Sequence, residues 1–312
     1  MNILVLGGDG FLGSYLVEYL VEAGHAVSVF DRFPFGVTRN LEHVRNQIKL
    51  FSGEFANRED ISKAIEGQEV VYHCISATSP ASSWNDPFIE IDENVRHSVQ
   101  FFEIAAQQNL RKVVYFSSGG TIYGKHEGVI HEDVTPRPFT PYGIGKLTVE
   151  HFLNYYQNHG RLTVDIYRVG NAFGPRQPMH RPQGVIAKWM DSILTGEELL
   201  VYGDSTTVRD YIYASDTVRL MGQSLDNLTS TGTYNIGSGH GISIIELLET
   251  FKRVVDRPFT YRVLPRREFD NVSVILDNSR LLSRCPGFFF SDFEEKLSET
   301  WRYVARKKSD NL

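Results

Sequence analysis

Tyr142 and Lys146 stand four residues apart in the run Tyr142-Gly143-Ile144-Gly145-Lys146. On a helix that spacing puts both side chains on one face. A tyrosine hydroxyl ordinarily ionises near ~10 and is a poor base at neutral pH, but a neighbouring ammonium favours its phenolate. Such a pair can move a proton on and off a substrate hydroxyl. A solvated lysine beside a half-buried ring would show the same spacing, so the pair takes its meaning from what precedes it.

What precedes it is a strand, a glycine turn and a helix. Met1-Asn2-Ile3-Leu4-Val5-Leu6 is a short apolar run leading into Gly7-Gly8-Asp9-Gly10-Phe11-Leu12-Gly13. The run reads as a buried parallel strand, and the helix opens at about Phe11. Turn glycines permit positive φ and close approach of backbone to a ligand. The helix N-terminus offers free N–H groups and a positive dipole end to a pyrophosphate. A second strand, His25-Ala26-Val27-Ser28-Val29-Phe30, ends in Asp31, eighteen residues after Gly13. A carboxylate there accepts hydrogen bonds from the ribose hydroxyls of NAD and repels a 2′-phosphate. The first βαβ unit therefore reads as dinucleotide-binding with NAD favoured, and Arg32 beside Asp31 leaves NADP open. A positively charged nicotinamide ring would favour the Tyr142 phenolate further.

These residues must be positioned by a scaffold, and its elements alternate along the first half of the chain. Helical patterns at Phe11–Ala23, Arg58–Ile65, Asn94–Gln108 and Tyr142–Asn158 lie between strand-like runs. The runs are Ile48–Phe51, Val70–Ile75, Lys112–Phe116 and Thr163–Arg168. Such alternation predicts an α/β fold, a Rossmann-type doubly wound parallel sheet. Past about residue 175 the regularity breaks down, starting at Gly174-Pro175-Arg176-Gln177-Pro178. Residues 1–175 read as the NAD-binding domain, with some later segments returning to it. Residues 176–312 read mainly as a smaller substrate-binding lobe.

Composition sets bounds. The 312 residues are 41% apolar and 22% charged, which is ordinary for a globular chain long enough to bury a sizeable core. A formal charge of −6 gives no reason to expect nucleic acid or an anionic membrane as partner. Two cysteines, Cys74 and Cys285, suit a reducing compartment and exclude a cysteine-based metal site. The ten histidines show no ligand spacing, so no metal is expected. The N-terminus lacks a basic segment before its apolar run, and no stretch approaches the ~18 apolar residues of a spanning helix. A cytoplasmic protein is expected.

The motifs taken together resemble the extended short-chain dehydrogenase/reductases of the nucleotide-sugar epimerase/dehydratase family, closest to the UDP-glucose 4-epimerase type. The resemblance runs through the glycine loop, Phe116-Ser117-Ser118-Gly119-Gly120-Thr121-Ile122-Tyr123-Gly124 and Pro141-Tyr142-Gly143-Ile144-Gly145-Lys146. It continues through Arg168-Val169-Gly170-Asn171-Ala172-Phe173-Gly174-Pro175-Arg176, Val208-Arg209-Asp210-Tyr211-Ile212 and Tyr234-Asn235-Ile236-Gly237-Ser238-Gly239. It implies that Glu54, with Phe55 beside it, meets the adenine, that Ser117 lies along the cofactor and that Asn94 steadies the helices beside the active site. It implies that Asn171, Arg209 and Arg267 contact a nucleotide diphosphate, with Arg266 the rival of Arg267. Forked guanidinium donors suit a diphosphate. Arg209 is the best placed, because Asp210 and nearby aromatics suggest a positioned side chain. The resemblance also implies a homodimer built on the helix after Asn94 and the helix carrying Tyr142, and a role in polysaccharide precursor supply.

One position departs from the family pattern. Relatives place a Ser or Thr four residues before the tyrosine of the Tyr-Gly pair, and here Gly119 stands there. Alternation along a strand sets Ser117, Gly119 and Thr121 on one face and Ser118 on the other, which favours Thr121 or Ser117 over Ser118 as the substitute donor, with a bound water as the third option. The acids that dehydratases and decarboxylases carry just after this point are absent, since Gly120 and Thr121 follow. The expected activity is NAD-dependent 4-epimerisation of a nucleotide sugar, with Tyr142, Lys146 and Thr121 as the catalytic set. A one-way 4-ketoreductase on the same site is the alternative, and a non-catalytic dinucleotide sensor is the third reading. Substrate choice is assigned to loops around residues 78–88 and 177–190.

Overall fold

A computed structural model describes residues 1–36, 38–108, 110–179 and 184–309. The substrate loop expected around 177–190 is therefore described except for residues 180–183, which lie outside the described residues. The first unit is β1 (Asn2–Leu6), α1 (Phe11–Glu22) and β2 (Ala26–Asp31). It is followed by β3 (Ile48–Ser52), α2 (Arg58–Ile65), β4 (Val70–His73) and α3 (Pro80–Asn85). Then come α4 (His97–Ala105), β5 (Lys112–Ser118), α5 (Pro141–Asn158) and β6 (Val164–Val169). Later the chain adds α6 (Ala214–Gly222) and β7 (Gly232–Ile236).

These strands form one parallel sheet in the order β7-β6-β5-β4-β1-β2-β3. In β1, Ile3 and Val5 enter the core with α1 and α6, while Leu4 and Leu6 enter the core with α2, α4 and α5. A central strand covered on both faces has to be apolar throughout, which is why its sequence reads as a continuous run. Strand order reverses between β1 and β4, and the carboxyl ends of those strands open the crevice in which such sheets bind ligands.

A second sheet joins segments remote in sequence. Val208–Tyr213 pairs with Gly241–Ser243, Ser273–Leu276 and Asn171–Phe173, and Ser273–Leu276 pairs with Val129–Ile130. A third core around Trp189, Leu199, Phe251 and Trp301 lies under this part of the chain.

One element differs from its expected form. The helix expected over Asn94–Gln108 begins earlier, as a π-helical segment Glu90–Arg96 that continues into α4. Within it Glu90 and Asn94 are buried while Ile91, Asp92 and Glu93 are exposed.

Candidate active site

The glycine loop is shaped by space. A Cβ on Gly13 would overlap the Gly7 carbonyl oxygen, and one on Gly8 would come 2.6 Å from Val29 Cγ1, so strand and helix meet too closely for any side chain. Gly7 takes φ +76°, which glycine adopts without strain. Gly10 is the N-cap of α1 and carries no side-chain cap, and no acid sits in the first turn. The N–H groups at Phe11, Leu12 and Gly13 thus begin an open, positive helix end.

At the end of β2, Asp31 accepts from the Asp9 amide at 3.1 Å and from the Arg32 amide at 2.8 Å. An ionised carboxylate has about four lone-pair directions, so acceptor capacity remains for two hydroxyls. Arg32 itself is exposed. Asp9 is a residue that sequence reasoning missed. Its buried carboxylate accepts from the amides of Arg39 and Asn40 at 2.8 and 2.9 Å, and its carbonyl accepts from Asn40 Nδ2 at 2.7 Å. It staples the 38–40 loop to the glycine turn, and burial pushes its carboxyl up from the ordinary value. Glu54 is exposed beyond β3, while the Phe55 ring turns inward onto His73 and Phe101.

Tyr142 and Lys146 lie on the same face of α5, with Lys146 Nζ 5.7 Å from the Tyr142 ring centre. Thr140 caps this helix by accepting from the Gly143 amide, and Pro141 fills its first turn. The Tyr142 amide donates to Ser83 Oγ of α3 at 3.1 Å, which fixes the start of α5 beside the segment after β4. Lys146 is only 5% exposed and donates to the Phe116 carbonyl at 3.0 Å. Burial pushes its ammonium down to about 8, with Glu90, Cys74 and Glu150 acting in the opposite direction.

The hydroxyls near this pair depart from the alternation expected for them. β5 ends at Ser118, and residues 119–121 form a turn, so the strand period stops there. Thr121 Oγ1 donates to Ser118 Oγ at 2.9 Å, which unites the residue favoured by alternation with the one it placed on the opposite face. Ser117 Oγ is buried with no hydrogen-bond partner among the described residues. Gly119 is closed to any side chain, because a Cβ would come 2.5 Å from Leu276 Cδ1 and 2.9 Å from the Arg168 carbonyl oxygen.

Toward the second sheet, Asn171 presents a buried Nδ2 without an acceptor among the described residues. Arg209 is held in place, but not by its neighbour Asp210. Its Nη1 donates to the carbonyls of Val208 and Val272, and its Nη2 to that of Asn271. Asp210 points the other way and accepts from the amides of Ser238, Gly239 and Leu276, joining the Gly237–Gly239 turn to Ser273–Leu276. Arg267 makes a two-point ion pair with Asp270 at 2.7 and 3.0 Å and lies 4.7 Å over the rings of Tyr202 and Phe269. Arg266 instead lines an open hollow with Gly203, Asp204 and Pro265. Asn271, also missed from sequence, donates from Nδ2 to the Gly120 carbonyl and so ties the arginine segment to the hydroxyl turn.

Asn94 is a hub. Its Oδ1 accepts from the Ala77 amide, and its Nδ2 donates to Thr78 Oγ1 and to Glu90 Oε2. Glu90 lies ahead of the helix expected to start at Asn94, so sequence reasoning missed it. No group of three or more His, Cys, Asp or Glu able to hold a metal occurs among the described residues. No helix among them is long and apolar enough to cross a membrane.

Comparison with known proteins agrees with the fold. The model of the NAD dependent epimerase/dehydratase family matches residues 3–237. The UDP-glucose 4-epimerase of Mycolicibacterium smegmatis is 32% identical over 287 residues, covering 90% of this chain and 91% of that protein. The UDP-glucose 4-epimerase of Thermus thermophilus, solved as a complex with NAD, superposes with a TM-score of 0.89 at 29% identity over 97% of this chain and 99% of that one. That of Thermotoga maritima, solved with UDP-glucose, gives 0.88 at 30% identity over 99% of this chain and all of that one.

Proposed function

This chain belongs to the NAD-dependent epimerase/dehydratase family, and we propose that it inverts carbon-4 of a UDP-hexose through a transient 4-keto sugar. The observation that carries the reading is the buried Tyr142–Lys146 pair on α5, whose N-terminal turn packs against the hydroxyl turn. A Cβ on Gly143 would come 2.8 Å from the Thr121 carbonyl oxygen.

The residues fit the dinucleotide. Gly7, Gly10, Phe11, Leu12 and Gly13 would receive its pyrophosphate on an uncapped helix end. Asp31 would hold the adenosine ribose with Arg32 outside it, and Glu54 and Phe55 would flank the adenine. Ser117, whose buried hydroxyl lacks a partner among the described residues, would meet the nicotinamide half together with Tyr142 and Lys146. When bound, NAD accepts hydride from carbon-4 and later returns it. Tyr142 takes the proton from the sugar 4-hydroxyl and restores it to the same oxygen after the keto sugar has turned over. Lys146 favours the phenolate while that proton is away. The Thr121–Ser118 pair donates to the reacting oxygen, with Ser118 accepting from Thr121 and thereby freeing its own O–H. Asn171, Arg209 and Arg267 hold the diphosphate, so the sugar can rotate without leaving.

A second copy of the chain completes the proposed molecule. The outer face of α5 carries exposed Ile144, Phe152 and Tyr155, and the adjoining π segment carries exposed Ile91.

The test is to incubate purified protein with UDP-glucose and with UDP-N-acetylglucosamine, adding no cofactor, and to separate the products. Conversion to the 4-epimers, with near-stoichiometric NAD released on denaturation, is expected. Absence of any epimer, together with stoichiometric consumption of added NADH or NADPH on a 4-keto sugar nucleotide, would replace the epimerase by a one-way reductase.

A further inference from the structure

Glu90 is a carboxylate with 2% of its surface exposed, on a segment whose other acids, Asp92 and Glu93, face solvent. A buried acid of this kind ordinarily has a partner or a task. Its Oε2 accepts from Asn94 Nδ2 at 3.0 Å and from the Thr78 hydroxyl. Its Oε1 is buried without a donor among the described residues. That oxygen lies against Gly145 of α5, where any side chain would overlap it. Gly145 is the residue before Lys146, so the glycine lets the carboxylate reach the backbone of the catalytic helix. The π turn is the device that brings it there, and such turns collect at functional sites.

We propose that Glu90 is a positioning residue for the Tyr142–Lys146 pair, its carboxylate serving as the counter-charge that keeps Lys146 an ammonium while Tyr142 exchanges its proton. The proposal rests on the proton-transfer role assigned to that pair above. The surroundings of Lys146 single out Glu90. On α5 itself stand the Tyr142 ring and Glu150, and the Glu150 carboxylate is already bound at two points by Arg168. From the end of β4 come His73, whose burial holds it neutral with a value pushed down to about 3, and Cys74, whose thiol burial pushes up. From β5 comes the ring of Tyr115, 5.0 Å from Nζ, its phenol kept neutral by burial. Glu90 is the foremost influence favouring the charged lysine. Burial pushes the Glu90 carboxyl up from its ordinary value, while the Thr78 hydroxyl, Lys146 and Asn94 act in the opposite direction and favour its charged form.

Glu90→Gln keeps the shape and an oxygen acceptor for Asn94 and removes the charge. The titration of Lys146 is followed through its 13Cε resonance, identified by its loss in Lys146→Arg, in the protein as purified. The midpoint is expected to fall by about one pH unit or more relative to the unsubstituted protein. The alkaline limb of kcat on UDP-glucose should move with it. At the original midpoint the loss is then about fivefold, and two units below it activity is nearly unchanged. Glu90→Asp, which draws the charge back by one methylene, should shift the midpoint downward by less, and it serves if the Gln variant fails to fold. An unshifted midpoint in a folded variant overturns the proposal. So does a kcat loss equal at every pH, which is the signature of a purely structural acid. Failure of the unsubstituted protein to turn over any UDP-sugar would sink the epimerase reading, while the resonance midpoint would still judge Glu90.

Discussion

A Cβ on Gly119 would come 2.5 Å from Leu276 Cδ1 of the second sheet and 2.9 Å from the Arg168 carbonyl oxygen of β6, so the place where the family pattern has a hydroxyl is closed from both sheets. Reintroducing the hydroxyl as Gly119→Ser should therefore not improve catalysis. It should overpack the turn at a cost of about 1–3 kcal/mol, seen as a lower Tm. Ser118→Ala brings no such clash. It gives up the hydrogen bond from Thr121, so Tm should fall by less than in Gly119→Ser, while kcat should drop roughly tenfold to a hundredfold, the worth of a hydrogen bond to a charged reacting group. Lys146 yields a second prediction at this scale. Its value in the fold, about 8, lies below the ordinary 10.5, so the folded chain holds this proton less tightly than the unfolded chain. The group then costs stability below pH 8, and that cost fades as pH rises toward the unfolded value. Urea unfolding of Lys146→Met should therefore show the variant gaining on the unsubstituted protein at pH 7 and losing that advantage by pH 10. An advantage that does not depend on pH would refute it. Tyr142, Lys146, Gly13 and Asp31 could be singled out in the sequence because residue type and spacing alone mark them, and the structure places them at the helix face, glycine turn and strand end expected. Glu90 was not, because the helix expected there began at Asn94, and only the earlier π-helical start Glu90–Arg96 turns this acid inward.

Helix α5 is tied to the sheet by an ion pair. Arg168 of β6 donates from Nε and Nη2 to Glu150 of α5, and from Nη1 to Tyr123 Oη, which donates to Asn235 of β7 at 2.6 Å. Both partners are buried, at 8% and 3% side-chain exposure, so solvent does little to screen them. Glu150→Ala would strand a guanidinium in the core and should cost about 3–5 kcal/mol in urea unfolding. Glu150→Ala with Arg168→Met should cost clearly less than the two single changes summed, and strict additivity would show the pair to be uncoupled. The strands that anchor these residues were readable as apolar runs, since a parallel strand covered on both faces has no polar side to disguise it. The second sheet was not readable. Its members are as short as Val129–Ile130, whose partner Ile275–Leu276 lies far along the chain, and no local pattern announces such a pairing.

In the whole molecule the two parts of the chain meet over the crevice. Phe269, beside the Arg267 fork, packs on Trp84 of α3 with ring centres 5.8 Å apart, and Asn271 reaches Gly120 from the same segment. On the far side of that crevice α5 is half inside and half out. Leu153 and Tyr156 are buried against the sheet, whereas Ile144 is 51% and Tyr155 48% exposed, with Phe152 between them. An apolar stripe along a helix whose other face holds the Tyr142–Lys146 pair is costly to leave in water and is the usual core of an isologous interface. Two copies meeting there would set α5 and the Glu90-to-Ala105 helices in a four-helix bundle. The protein should therefore sediment at twice the mass of one chain at micromolar concentration. Phe152→Glu with Tyr155→Glu should halve that mass while the far-ultraviolet dichroism stays the same, because neither ring is part of the buried core. Since the interface helix also carries Tyr142 and the seat of Glu90 at Gly145, the monomeric variant should lose activity as well as mass. A protein that sediments as one chain without these changes would refute the bundle and confine the stripe to some other use.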